Sequence, residues 1–112
     1  MVDLQPARLD ALFRALGDAT RRGMLSDLAA GPRSVGELAA PHRMSLAAAS
    51  KHIKTLERAG LVRRQVQGRT HLCRLEPAAL ASVDSWLGFY RRFWTGRLDA
   101  LEAALREEET TR

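Results

Sequence analysis

The chain has 112 residues, a length suited to one domain with a single core. Apolar residues make up 46% of it and charged residues 28%. That is the balance of a folded globular protein rather than of a disordered tail, and no stretch approaches the roughly 20 apolar residues that a membrane span requires. The start, Met1-Val2-Asp3-Leu4-Gln5-Pro6, lacks a basic segment followed by an apolar run, so no secretory leader is expected. The single cysteine, Cys73, excludes an internal disulfide, and a reducing cytoplasm is the expected compartment.

Net charge is +5, and its distribution says more than its total. Between Pro41 and Leu75 stand Arg43, Lys51, Lys54, Arg58, Arg63, Arg64, Arg69 and Arg74, opposed only by Glu57, a local net of +7. From Asp99 onward five acidic residues oppose Arg106 and Arg112, a net of −3. A basic middle beside an acidic tail suits local binding to a polyanion.

In chain order, the first helix is predicted over Ala7 to Leu16, with Leu9, Leu12, Phe13 and Leu16 on one face. Gly17 is expected to close it through a positive φ. Asp18 caps a second helix, whose buried stripe is Thr20, Met24, Leu25 and Leu28, and Gly31-Pro32 stops it. Ser34-Val35-Gly36-Glu37 has the form of a capping box and opens a short third helix that ends before Pro41, with Val35 and Leu38 inward. After the turn Pro41-His42-Arg43-Met44, Ser45 caps a fourth helix from about Leu46 to Ala59. There Leu46, Ala49, Ile53 and Leu56 face the core, and Ala47, Ala48, Ser50, Lys51, Lys54 and Arg58 stay outside. The period then changes to two. Leu61–Val66 and Thr70–Leu75 are predicted strands joined at Gln67-Gly68-Arg69.

A last helix is predicted from Pro77 to about Arg106, roughly 45 Å at 1.5 Å per residue. Its main stripe runs Leu80, Val83, Leu87, Tyr90, Trp94, Leu98, Leu101, Leu105, and Trp86, Phe89 and Phe93 widen the apolar arc. A helix so apolar on so many sides needs more than one partner.

A short helix, a tight turn and a helix with a small, polar and basic outer face form a helix-turn-helix, and the hairpin beside it forms a wing. The fold class is therefore mainly α with a small β-hairpin, in the order α-α-α-α-β-β-α. The candidate contacts to double-stranded DNA are Arg43 and Ser45 at the turn, and Ala47, Ala48, Ser50, Lys51, His52 and Lys54 on the fourth helix. Arg64, Gln67 and Arg69 join them from the wing.

These residues resemble the ArsR/SmtB family of bacterial winged-helix repressors. Leu12-Phe13-Arg14-Ala15-Leu16-Gly17-Asp18-Ala19-Thr20-Arg21-Arg22 is similar to the family's opening. Ser34-Val35-Gly36-Glu37-Leu38-Ala39 and Met44 through Ile53 resemble its helix-turn-helix, and Leu56 through Val62 with Gly68-Arg69 its helix end and wing. The likeness covers about residues 9–98. Ala19 and Ala47 stand where many relatives carry proline, and Leu46 where a polar base-reading residue is common. The resemblance implies one winged domain over 1–112, with a DNA-binding core at about 18–75 and dimerisation helices at about 7–16 and 77–106. It also implies a homodimeric repressor on an inverted-repeat operator. The residues expected at the dimer interface are Leu9, Leu12, Phe13, Trp86, Tyr90, Phe93, Trp94 and Leu98.

Other chemistry is poorly supplied. One cysteine and no histidine after His71 give no metal-ligand set, so no metal or other cofactor is expected. His71 and Cys73, two apart on one strand face, are the residues a metal- or redox-responsive variant of the reading would use. There is no phosphate-cradling glycine loop and no catalytic constellation, so an enzyme is not expected. A protein-interaction module that binds no DNA is the remaining alternative, and it has no use for the basic fourth helix.

Overall fold

A computed structural model describes residues 5–110. Met1 to Leu4, read above for a leader, lie outside them, as do Thr111 and Arg112. Helix α1 (Pro6–Leu16) starts on a proline, whose missing N–H costs nothing in a first turn. It buries Leu12 and Ala15. Gly17 ends it with φ −74°, not the positive φ expected. The glycine serves for space instead, because a Cβ there would stand 3.3 Å from the Phe13 carbonyl oxygen. Helix α2 (Ala19–Ala29) is capped by the Asp18 carboxylate, which accepts from the Arg21 N–H at 3.0 Å. It buries Met24, Leu25 and Leu28, and Thr20 is half-buried at the edge of that stripe.

Strand β1 (Arg33–Ser34) precedes α3 (Val35–Ala39), and a 3-10 turn (Ala40–His42) leads to α4 (Leu46–Arg58). Helix α4 ends in a Schellman motif: Leu61 N–H donates to the Leu56 carbonyl and Gly60 N–H to that of Glu57, both at 2.9 Å. Gly60 takes φ +79°, which a side chain would strain, and the accompanying Leu56 and Leu61 are both fully buried. Strands β2 (Val62–Gln67) and β3 (Thr70–Leu75) pair antiparallel from Val62↔Leu75 to Gln67↔Thr70. Gly68 (φ +63°) holds the first central place of the two-residue turn, the glycine position of a type II′ hairpin. Helix α5 (Pro77–Thr110) completes the chain and runs a turn beyond the predicted end.

Strand β1 was not expected. Two residues carry no periodicity, yet Arg33↔Cys73 and Ser34↔Leu72 add them to the sheet, giving the order β1-β3-β2. The wing is thereby tied to the start of α3. One core draws on every helix and the sheet: Leu12, Met24, Leu38, Ile53, Leu56, Leu61 and Cys73 are its largest fully buried side chains. Leu46 departs from its expected inward position and is 62% exposed. Its site lies one turn beyond the reach of the core, at the level of Gly36 in α3.

Only the first turns of α5 join that core, through Ala79, Leu80 and Val83. Every residue from Phe89 to Thr110 is exposed. The molecule is accordingly long, 69 Å in its largest dimension, with a radius of gyration of 19.4 Å against about 13 Å for a compact chain of this length. Among the described residues, no helix is long and apolar enough to cross a membrane.

Gly23, inside α2, faces the ring of His42 so closely that a Cβ would stand 2.7 Å from its Cε1. Elsewhere in a helix Gly→Ala gains up to about 1 kcal/mol. Here Gly23→Ala is expected to lower stability in urea unfolding, whereas the same change in a His42→Ala background should raise it.

Candidate nucleic-acid interface

The interface is built from α3, the turn, α4 and the wing. Ser34 and Glu37 close the capping box read in the sequence: Glu37 N–H donates to Ser34 Oγ at 3.2 Å and Ser34 N–H to Glu37 Oε1 at 3.0 Å. These bonds hold the Glu37 carboxyl below its ordinary pKa. Arg43 adopts φ +50°, a left-handed conformation that reverses the chain after the 3-10 turn and leaves its side chain exposed. Ser45 Oγ accepts from Ala48 N–H at 3.1 Å and fixes where α4 begins.

With Ala49, Ile53 and Leu56 fully buried, α4 turns Ala47, Lys51, Lys54 and Arg58 outward. Ala48 and Ser50 are half-buried on its two flanks. Ser50 lies on the wing side, in a cleft of about 520 Å³ between α4 and the hairpin that Arg69 also lines. Gln67 and Arg69 are exposed at the wing tip.

Two expected contacts are already bonded to other side chains, although Arg64 lines the same cleft as Ser50 and Arg69. His52 is one position beyond Lys51, about 100° further round the helix, and faces the α1–α2 corner. Its Nδ1 is 3.2 Å from an Arg21 guanidinium nitrogen and 3.9 Å from the Asp18 carboxylate. Arg64 is committed as well. Strand alternation turns it toward α4, where Nε and one terminal nitrogen donate to Glu57 Oε1 at 3.1 and 2.7 Å, and its side chain is only 16% exposed. The hub beneath α4 was not anticipated: Arg21 also donates to the carbonyls of Ala15 at 2.7 Å and Arg14 at 2.9 Å. Its N–H bond to Asp18 is the chief reason that carboxyl sits below its ordinary pKa. The cap residue Asp18 was legible; that the arginine three places on would tie α1, α2 and α4 together was not.

The residues expected at a dimer interface separate in the same way. Leu12 is 1% exposed inside the protomer's own core, because it faces inward with Ala15, and it is unavailable to a partner. Leu9 is half-buried, and Phe13, Tyr90, Phe93, Trp94 and Leu98 are exposed. The rings form a chain: Phe13 meets Trp86 edge-on at 5.0 Å, and Trp86 meets Tyr90 at 4.8 Å.

His71 and Cys73 do share a strand face, but differ in access. His71 is exposed, with Nδ1 3.4 Å from an Arg64 nitrogen, so a fixed cation already stands beside it. Cys73 is fully buried, and that burial pushes its thiol pKa up, away from the reactive thiolate. Among the described residues no three His, Cys, Asp or Glu side chains converge.

Arg64 and Lys54 should therefore fail differently. Arg64→Ala is expected to lower the melting temperature by leaving Glu57 without its guanidinium. Lys54→Ala should leave the melting temperature unchanged and weaken binding to duplex DNA. Thermal unfolding and fluorescence anisotropy on the same preparations check both outcomes.

A family model described as a helix-turn-helix domain matches residues 16–65. The HTH-type transcriptional regulator Rv2034 of Mycobacterium tuberculosis is 40% identical over 89 residues, 80% of either chain. The crystal structure of an ArsR family transcriptional regulator superposes with a TM-score of 0.76 at 39% identity, covering 85% of this chain and 97% of that one. A homodimeric winged helix-turn-helix DNA-binding domain from Mycobacterium bovis matches with a TM-score of 0.62 at 25% identity, over 78% of this chain and 82% of that one. Sequence, wing and helix-turn-helix agree: the chain belongs to the ArsR family of winged helix-turn-helix transcriptional regulators, and is a DNA-binding protein rather than an enzyme.

Proposed function

We propose that the protein is a homodimeric repressor that occupies an imperfect inverted repeat, one α4 in each of two successive major grooves. The observation that carries this reading is the segregation of charge: Lys51, Lys54 and Arg58 along the outward face of α4, with Arg69 on the adjoining wing, all exposed. In this reading Arg43, Ser45, Ala47, Ala48, Ser50, Lys51, Lys54, Gln67 and Arg69 meet the duplex. Ala47 and Ala48 admit the helix backbone, the cations take phosphates, and Ser50 with the wing tip reaches base edges. His52 and Arg64 are left out, since both serve the fold.

Self-association is supported by the apolar face of α5. Phe93 is 59% exposed, Trp94 66% and Leu98 59%, more bare apolar surface in one stripe than a solitary chain would keep in water. Leu9, Phe13, Trp86, Tyr90, Phe93, Trp94 and Leu98 would be shared across the two-fold axis. The Mycobacterium bovis domain, similar in fold, is a homodimer. Repression would follow from occupancy, the dimer excluding polymerase from the DNA it covers.

Two measurements test the reading. If about three to five phosphates are neutralised per subunit, the log–log dependence of affinity on salt should have a slope of about −5 to −9 for the dimer. Arg69→Ala should weaken specific and random duplexes alike, and Ser50→Ala chiefly the cognate one; a salt-independent interaction would refute the contact set. Burying a large aromatic is worth roughly 1.5–3 kcal/mol, and a two-fold axis counts each substitution twice. Phe93→Ala with Trp94→Ala should thus cost several kcal/mol of association and move sedimentation equilibrium toward monomer or aggregate. Wild-type protein that stays monomeric at micromolar concentration would overturn the preformed dimer.

A further inference from the structure

Apart from one residue, every side chain on the outward side of α4 is small, polar or basic. Leu46, the first residue of the helix, is 62% exposed. The helical period places it one turn above Ala49, Ile53 and Leu56, but the core ends below it. Opposite stands Gly36, and Leu46 Cδ2 lies 3.9 Å from where a Cβ on that glycine would be. One edge of the leucine therefore rests against α3, and the rest opens into the cleft between α4 and the wing. Val35, Ala47, Ser50, Arg64, Arg69 and His71 are among the residues that share that cleft. An exposed branched apolar side chain is thus held at the tip of a basic helix, in a cleft that Ser50 and Arg69 also line.

The floor of the major groove offers one apolar group, the C5-methyl of thymine. We infer that Leu46 is a specificity-determining residue that packs on a thymine methyl in each half-site. The inference rests on the proposed reading of α4 as the helix that enters the groove. Three features favour that occupant. Arg69 brings positive charge into the cleft, which suits duplex DNA. The neighbouring Ala47 is too short to hold the helix tip away from the bases. The Ser45 cap fixes the first turn, so Leu46 is presented from a rigid position. A glutamine or serine there would exchange hydrogen bonds; leucine can gain only by burying carbon against carbon. Burial of one methyl corresponds to about fourfold in affinity, or about fifteenfold when both half-sites are changed.

The test uses the full chain and duplexes selected by it from a random-sequence pool. Each thymine of the selected sequence is replaced by deoxyuridine, which removes the methyl and leaves the hydrogen-bonding edge intact. One thymine per half-site should show the loss, about fourfold singly and about fifteenfold together. Leu46→Ala should abolish that loss while keeping the wild-type melting temperature and the same affinity and salt slope on random duplex. Leu46→Gln, selected afresh, should move the preferred base from thymine to adenine, whose edge an amide pairs with. The inference is overturned if no thymine responds to loss of its methyl, or if the response persists in Leu46→Ala. Failure to bind any duplex would overturn the DNA reading itself, and this inference with it.

Discussion

The burial of one face of α4 governs both the core and the surface of this protein. Ala49, Ile53 and Leu56 are excluded from water between α2, α3 and the hairpin. With that stripe fixed, the rotation of the helix about its axis is fixed too. Lys51, Lys54 and Arg58 have no choice but to project, and Ser50 is delivered to the wing side. The Schellman end at Gly60 and the Ser45 cap then fix the helix along its length, and the Arg21 hub braces it from below. A DNA-reading surface tolerates little slack in rotation or translation. Here the rigidity comes from hydrocarbon packing, the Schellman bonds, the Ser45 cap and the Arg21 hub.

The two ends of the chain follow an opposite logic. The winged core spends its apolar residues efficiently, and among the described residues no polar or charged one is buried. Helix α5 does not: it leaves the core after Val83 and carries a band of leucines and aromatics into open solvent. At 1.5 Å per residue its 34 residues extend about 50 Å, several times what the domain can cover. Charge sorting matches this division. Cations outnumber acids on α4 and the wing, where Glu57 is the one acidic residue, and acids outnumber cations from Asp99 onward, so an anionic ligand meets little repulsion near its site.

Much of this was legible before the structure. Five helices and a hairpin follow from periodicity, caps and glycines, because each of those signals is local. What was missed is non-local. Strand β1 exists only because β3 offers it hydrogen bonds. His52 stands among the candidate DNA contacts because sequence gives the composition of a helix face more reliably than its angular limits; in the fold its ring lies beside Asp18 and Arg21. Arg64 was counted with the basic patch because formal charge does not reveal that Glu57, seven residues earlier, already holds it. Leu12 and Leu46 erred in opposite directions: each lies on an apolar period, but only the depth of the core at that level decides which is covered.

Cys73 occupies the middle strand of the sheet, its Cα in register with Arg33 on one side and Arg64 on the other. It is the chain's one thiol, fully shielded, and pushed toward its protonated form by burial. Its rate of alkylation is therefore a clock for the opening of the sheet. When opening is fast relative to labelling, the ratio of that rate to the rate in the unfolded chain gives the free energy of exposing β3. The Cys73 side chain is covered by the core packed on the sheet, so this opening separates the sheet from the helices over it. The molecule thus carries a chemical reporter of the packing between its sheet and its core, readable by mass spectrometry in the presence or absence of DNA.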